Sequence, residues 1–558
     1  MSQATTMESS HPKGLWVLFG TEMWERFNFY GMRALLSLFL VNSLMMKESE
    51  ASIIYGGFLG LCYLTPLFGG YISDNFLGNR LCIMLGGLIM ALGQGFLFWS
   101  AWVFSSDLQF ATFLTWIALG LIIIGNGFFK PNISSMVGSL YPQEKKSMLD
   151  SAFTIFYMGI NLGAILGQFI CPIVGDVKIG DVRDLTAFKW GYLAACIAML
   201  LGVVIFYFFK DKYIVTPEGK AIGGKPKRST DSHDENGEAT RAIFGNKSII
   251  GAAVAFVLLV ILFQFGLGQN LIYSFIYASG ISLAGLILTD ESLTKVERDR
   301  ILVIYIVSFF VIFFWAAFEQ AGSSLTFIAD YQTDRNLFGW DMPPSMVQIF
   351  NGLFVVAFAM PFSYMWLWLQ KKGKEPISPV KQAIGLALIA LGYLVIANKV
   401  DGLGTSGKIG IIWLVVMYLL HTWGELCLSP IGLSLVSKLS PKRFSSLLFG
   451  VWFISNACAY AFAGTLGALL PPTGDKYLEA EKLGVDLNAY LTGAVTLTPE
   501  QMQAYTEANL PAAFPSFAGF TITSLYEFFM IFVLLCGVAA IVLLAITPFL
   551  KRMMHGIK

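Results

Sequence analysis

Apolar stretches long enough to cross a bilayer follow one another along nearly the whole chain, and nothing else limits its possible folds so severely. A crossing helix needs about 20 apolar residues. Segments near 14–45, 51–73, 80–104, 107–139, 148–175, 187–209, 248–266, 270–288, 300–329, 342–370, 377–398, 408–439, 443–470 and 518–550 meet that length, which predicts fourteen crossings. Backbone in lipid must satisfy its own hydrogen bonds, and the alternating pattern of a membrane barrel is missing. The expected class is all-α integral membrane. Composition agrees: of 558 residues, 56% are hydrophobic and 13% charged, too few charges for the surface of a soluble fold.

Lys+Arg at 37 against Asp+Glu at 36 leaves a net charge of +1, which gives no bias toward nucleic acid. Cys62, Cys82, Cys171, Cys196, Cys427, Cys458 and Cys536 all lie in apolar stretches without CxxC or Cys/His spacing, so neither a disulfide framework nor a metal site is expected. The first apolar segment, Gly14 to Val41, is too long for a signal peptide and reads as a retained helix. With the N-terminus inside, roughly 25 cations fall on the inner side against about 9 outside, among them Lys145/Lys146, Lys371, Lys372 and Lys374. Both termini are therefore expected in the cytoplasm, and the chain in the cytoplasmic (inner) membrane.

These segments divide the chain into a six-helix half (14–209), a solvated linker (210–247), an inserted helix pair (248–288) and a second six-helix half (300–550). The linker carries Pro217, Gly223-Gly224, Pro226 and a charged run from Asp231 to Glu238. Residues 471–517, with Pro471-Pro472, Pro499, Pro511 and Pro515, read as an external loop with a short helix around 499–508. Six plus six spans about a central loop is the layout of a two-bundle secondary transporter with its site at the midplane.

Ionisable residues within spans cost about 2.5–3.5 kcal/mol each on insertion scales and mark function by default. Seven stand out: Glu22, Glu25, Arg26 and Arg33 in span one, Lys130 in span four, Glu319 in span seven and Glu425 in span ten, numbering the two halves one to twelve. At 100° per residue, Glu22, Glu25, Arg26, Tyr30 and Arg33 share one stripe, while Met23, Phe27 and Leu35 face lipid or neighbours. A purely structural Glu22–Arg26 ladder is the alternative, but leucine would serve that purpose more cheaply at this depth. Lys130 sits before Pro131 in Gly125-Asn-Gly127-Phe-Phe-Lys130-Pro131-Asn132, which lacks the GK[ST] of a phosphate loop. A lysine at such a kink suits a substrate carboxylate or a neighbouring glutamate; snorkelling to the surface is the alternative.

Span five carries Gly159, Gly163 and Gly167 at i, i+4 and i+8, a flat face for helix packing, with Tyr157 and Asn161 open to either the cavity or helix contacts. The second half adds Trp315, Glu319-Gln320, Asn351, Glu425, Ser429-Pro430 and Trp452. Cations thus gather in the first half and Glu319 and Glu425 in the second. A cleft with that field fits a zwitterion, its carboxylate toward Arg26 and Lys130 and its ammonium toward Glu425. The many aromatic residues supply pockets for varied side chains, although most are expected to pack or face lipid.

These residues resemble the proton-dependent oligopeptide transporters (POT, or PTR) of the major facilitator superfamily. Glu22-x-x-Glu25-Arg26-Phe-x-Phe-Tyr30-Gly is similar to that family's ExxERFxYYG signature, with Phe29 where a tyrosine is usual. Gly69 to Gly78, Phe153 to Ala164, Phe318-Glu319-Gln-x-Gly-Ser-Ser and Gly424-Glu425-Leu-x-x-Ser429-Pro resemble its other motifs, and the extra helix pair resembles the bacterial branch. The resemblance implies a major facilitator fold of two six-helix bundles plus two inserted helices, and proton-coupled symport of di- and tripeptides with no cofactor beyond the proton gradient. It implies that Arg26 and Lys130 bind the peptide carboxylate beside the proton-coupling Glu22 and Glu25, that Glu425 and Asn351 take the amino end, and that Asn161 holds the backbone. Tyr30, Tyr63, Tyr157, Trp315, Ser429 and Trp452 would line the pocket. Arg33 and Glu319 would pair as an outer gate that protonation of Glu319 loosens. His421, one turn before Glu425, is assigned no essential role. Uptake of nitrate or another small anion on the same scaffold is the nearest alternative, disfavoured by Glu425. A membrane peptide sensor would need more than a short polar linker as its cytoplasmic domain. No nucleophile–base pair suggests an enzyme, and oligomeric state is left open.

Overall fold

The computed structural model describes residues 11–141, 148–179, 182–225 and 244–557. The inner-side lysines at 145 and 146 and the run Asp231 to Glu238 lie outside the described residues. In chain order the helices are α1 (Lys13–Asn42), α2 (Glu48–Ile72), α3 (Asn79–Val103), α4 (Leu108–Ser139), α5 (Leu149–Gly175), α6 (Phe188–Tyr213), α7 (Asn246–Ile261), α8 (Leu271–Leu288), α9 (Lys295–Phe318), α10 (Ser324–Tyr331), α11 (Ile349–Lys371), α12 (Ser378–Val400), α13 (Ile411–Leu439), α14 (Ser445–Gly467), α15 (Gly474–Lys482), α16 (Leu487–Leu491), α17 (Pro499–Glu507) and α18 (Leu525–Met553). Thirteen helical segments among the described residues are long and apolar enough to span a membrane. The sequence predicts α1 as a fourteenth crossing, but this 30-residue helix is not among the thirteen, because it carries Glu22, Glu25, Arg26 and Arg33.

The helices form two compact units, one from the described residues of 1–33, 65–175 and 186–229, the other from those of 34–64, 176–185 and 230–558. This differs from the linear division at 209 expected from the sequence: α1 and α2 each pass from one unit to the other. The reason is close packing of their far portions on second-half helices. A side chain on Gly56 or Gly60 of α2 would run into α14 at Gly464 or Ala457, and Ser37 Oγ of α1 donates to Gly322 O. Pro66, just past the crossover in α2, removes one rung of helix hydrogen bonding there.

In the first unit, glycines set the spacing. Gly86 of α3 and Gly125 of α4 face each other so closely that a Cβ on either would lie 2.6 Å from the other's carbonyl oxygen. Gly159, Gly163 and Gly167 of α5 abut Phe19, Met23 and Phe27 of α1, as the i, i+4, i+8 spacing predicts. Phe27 and Leu35 of α1 are buried, so of the two options left by the sequence they face neighbours. The linker begins later than position 210. The α6 helix runs to Tyr213, and the chain then folds back through a bridge between Val215 and Ala221, burying Ile214 and Ile222. Arg80 holds it there, donating to the carbonyl oxygens of Lys210, Ile214 and Ile222.

In the second unit α7 buries no residue, whereas α8 packs Gly280 against Ile454 of α14. The α9 helix, opened by a Thr294/Glu297 capping box, tightens to a 3-10 turn over Glu319–Gly322 before α10. Gln320 spans that break, its Nε2 donating to Ala316 O and Ala463 O while its Oε1 accepts from Ser324 Oγ. Residues 471–517 are more ordered than the expected loop. Beside the predicted helix, found as α17, stand α15 and α16, gathered on a small core of Ala480, Val485, Leu487, Tyr505 and Leu510. Between α5 and α6 the chain makes a hairpin, β1 (Lys178–Ile179) and β2 (Val182–Arg183), which belongs to the second unit. All seven cysteines are free.

Candidate functional site

The polar stripe of α1 forms one connected group. Arg26 Nε lies 2.9 Å from Glu22 Oε1 and 2.5 Å from Glu25 Oε2. Glu22, Glu25 and Arg26 are 3%, 0% and 5% exposed, so a single guanidinium is shared between two carboxylates out of water. The ladder expected from i,i+4 spacing is present, yet Glu25 joins it. An arrangement with two acids and one base is not what helix stabilisation alone would select. The glycine face of α5 permits it: a Cβ on Gly163 would meet Met23 O and, at 2.9 Å, Arg26 Cβ.

Lys130, half-buried on α4 directly before the Pro131 kink, lies within electrostatic reach of Glu22, Glu25, Arg26 and Tyr30. Tyr30 is half-buried and edge-on to Phe29, and the Arg33 guanidinium carbon stands 5.1 Å from the Tyr30 ring centre. On α5, Tyr157 is 50% exposed, and Asn161 Nδ2 donates to Tyr157 O within the same helix at 2.9 Å. One N–H of Asn161 is thus tied back to its own helix, leaving its oxygen and second N–H.

The second unit holds the other set. Asn351 Nδ2 on α11 donates to Glu425 Oε2 at 2.9 Å and to Thr422 Oγ1 at 3.0 Å, both on α13. Thr422 in turn donates to Tyr418 O, which fixes the hydroxyl. Asn351 thereby presets the Glu425 carboxylate. Ser429 is half-buried one turn further along α13. Glu319 is 4% exposed at the start of the 3-10 turn, and Trp315, 9% exposed, lies one turn before it. Tyr63 and Trp315 both meet Tyr460 edge-on, with ring centres 4.6 Å and 6.4 Å apart. Trp452 is 3% exposed and packed where any side chain on Gly432 would strike its ring. His421 is wedged between Tyr393, Phe318 and Tyr418.

Sequence reasoning missed two members of these groups. Tyr460 joins Tyr63 to Trp315, and its only sequence signal is a polar aromatic eight residues after Trp452, on roughly the same helix face. Thr422 orients Asn351 and could have been suspected from its i,i−3 place before Glu425.

The sequence profile of the POT family matches residues 80–473. The chain is 33% identical over 472 residues to Peptide transporter YePEPT of Yersinia enterocolitica, covering 82% of this chain and 88% of that one. It is 32% identical over 474 residues to a Di-/tripeptide transporter of Lactococcus lactis, covering 81% and 88%. Among solved structures, a POT family transporter in complex with a thioalcohol-conjugated peptide superposes with a TM-score of 0.71 at 29% identity, covering 97% of each chain. A POT family transporter in complex with 5-aminolevulinic acid gives 0.70 at 29% identity, again over 97% of both. A helical, many-span protein with these relatives has the major facilitator fold, and the chain belongs to the POT family.

Proposed function

We propose that the chain is a proton-coupled symporter of di- and tripeptides, working by alternating access in the cytoplasmic membrane with both termini in the cytoplasm. It moves its substrate unchanged, uses no cofactor, and draws on the proton gradient alone. The observation that carries this reading is the sharing of Arg26 by Glu22 and Glu25. While both acids are charged they hold the guanidinium. A proton on either one loosens that hold, and Arg26 with Lys130 can then accept a peptide carboxylate. The preset Glu425–Asn351 pair takes the peptide ammonium, and Tyr30, Tyr63, Tyr157, Asn161, Trp315, Ser429 and Trp452 surround the rest. Loss of the proton on the inner side restores the acid–arginine pairing and expels the carboxylate. Coupling is a competition for one cation.

Arg33 and Glu319 are assigned to the outer gate, which a proton on Glu319 would weaken. The relatives named as peptide transporters support the substrate class, as does the relative holding 5-aminolevulinic acid, a small molecule with an amine at one end and a carboxylate at the other. The test is uptake of a labelled dipeptide into proteoliposomes under an imposed proton gradient. Accumulation that collapses when the gradient is dissipated is expected, and gradient-independent equilibration would refute the coupling.

A further inference from the structure

The α5–α6 hairpin carries a second set of buried charges that the reading above does not use. Its register places Lys178 directly opposite Arg183, and like charges so placed repel. Asp330 of α10 resolves the repulsion by taking both: Lys178 Nζ lies 2.6 Å from Oδ1 and Arg183 Nη1 2.8 Å from Oδ2. Arg183 Nε also pairs with Asp176 Oδ1 at 2.8 Å, and Asp176 Oδ2 accepts from Ser345 N and Oγ at 3.1 Å and 2.7 Å. Asp176 and Asp330 side chains are fully buried and that of Arg183 is 6% exposed. Two acids and two bases make the cluster neutral. The receiving side is braced, since Arg335 Nη1 donates to the carbonyl oxygens of Ala329 and Asp330. Ile179 and Val182 of the two strands are 75% and 73% exposed.

A joint meant only to stay shut is better made of apolar side chains, because burying charges roughly cancels their attraction. A joint that must part and be wetted is another matter. Separated apolar faces are penalised in water, whereas separated charges are hydrated, so a charged joint keeps the two states close in free energy. We propose that Asp176, Lys178, Arg183 and Asp330 form a releasable fastening, and that the hairpin leaves Asp330 and Ser345 each time the outer side opens to admit substrate. This rests on the transport reading and its orientation, and it adds a second outer closure made of residues distinct from Arg33 and Glu319.

The experiment uses spin labels on the exposed positions Ile179→Cys and Phe338→Cys of the full chain, with the pair distance measured by pulsed electron resonance in nanodiscs. D330N removes the anion between two cations, and K178Q, at a side chain 25% exposed, is the milder variant if D330N fails to fold. The ratio of long to short distances should rise about tenfold or more in D330N and less in K178Q. Unchanged distributions in both variants overturn the proposal. In a second arm, K178C and D330C joined by a cleavable bifunctional thiol reagent, long enough to span the lysine's reach, should abolish peptide uptake until the linker is cleaved, and wild-type uptake by the cross-linked protein overturns the proposal as well. The distance arm needs no transport, so it decides on the hairpin even if the peptide reading fails.

Discussion

Replacing Glu425 with Gln removes a charge and almost nothing else. Glutamine keeps the side-chain shape and an acceptor oxygen, so the 2.9 Å bond from Asn351 Nδ2 survives and the site stays preset. What is lost is the charge available to a peptide ammonium. A hydrogen bond to a charged group contributes about 1.5–3 kcal/mol, a neutral one about 0.5–1.5. The difference of about 1–2 kcal/mol corresponds to roughly 5–30-fold weaker binding. The assay is equilibrium binding to the detergent-solubilised protein, without a gradient, of a dipeptide and of its amino-acetylated form. The free dipeptide should bind E425Q about 5–30-fold more weakly than wild type, while the acetylated form, which has no ammonium, should bind both proteins alike. An equal loss for the two ligands, or no loss for the free dipeptide, refutes the assignment of Glu425 to the amino end.

Other consequences can be checked separately. In E22Q the side chain can still accept from Arg26 at 2.9 Å but cannot carry a proton, so gradient-driven accumulation should vanish while peptide counterflow persists; intact accumulation refutes the coupling scheme. G163V drives a side chain into Met23 O and Arg26 Cβ and should cost about 1–3 kcal/mol or more of stability, read as a lower melting temperature. G120A, where nothing lies within 4 Å of the new methyl group, should melt like wild type. Burial holds the Asp475 carboxyl up at about 6, against the pull of Lys476 and Thr473 and with a push from Glu48 and Asp330. The folded loop therefore binds this proton more tightly than the unfolded chain does, and its stability falls as pH rises from about 4 to about 6. D475N should slow amide exchange in α15 at neutral pH, by up to about 3 kcal/mol for a carboxyl raised by about two units, with the gain fading at about pH 4 and below. A gain that is the same at both pH values refutes this account.

Thirteen of the expected crossings were legible because each leaves a run of about 20 apolar residues, whereas the five charged residues of α1 blur that signal in the first helix. The glycine face of α5 was legible for a similar reason, since helical spacing alone brings Gly159, Gly163 and Gly167 together. The pairing of Asn351 with Glu425 was not legible from spacing: the two are 74 positions apart, and only the family resemblance joined them. The hairpin from Lys178 to Arg183 left no sequence signal, because strands of two residues have no periodicity to read. Asp330 was passed over because a carboxylate at the end of a span looks like an ordinary interfacial residue. In the 471–517 segment α17 was visible through Pro499, which also opens a Thr498/Gln501 capping box. The short α15 and α16 depend on a tertiary core that no local pattern announces.

Two helices of this protein are common property of both units: α1 crosses at Arg33 and Ala34, α2 at Leu64 and Thr65. A chain built this way has no free swivel in those two places. Any bending of α1 or α2 in the proposed cycle would load a continuous helix, which resists as an elastic rod. The proline at position 66 makes one of those rods compliant near the point where it changes allegiance. The pace of the cycle would then be tuned by the spring constant of a helix as well as by the strength of any ion pair.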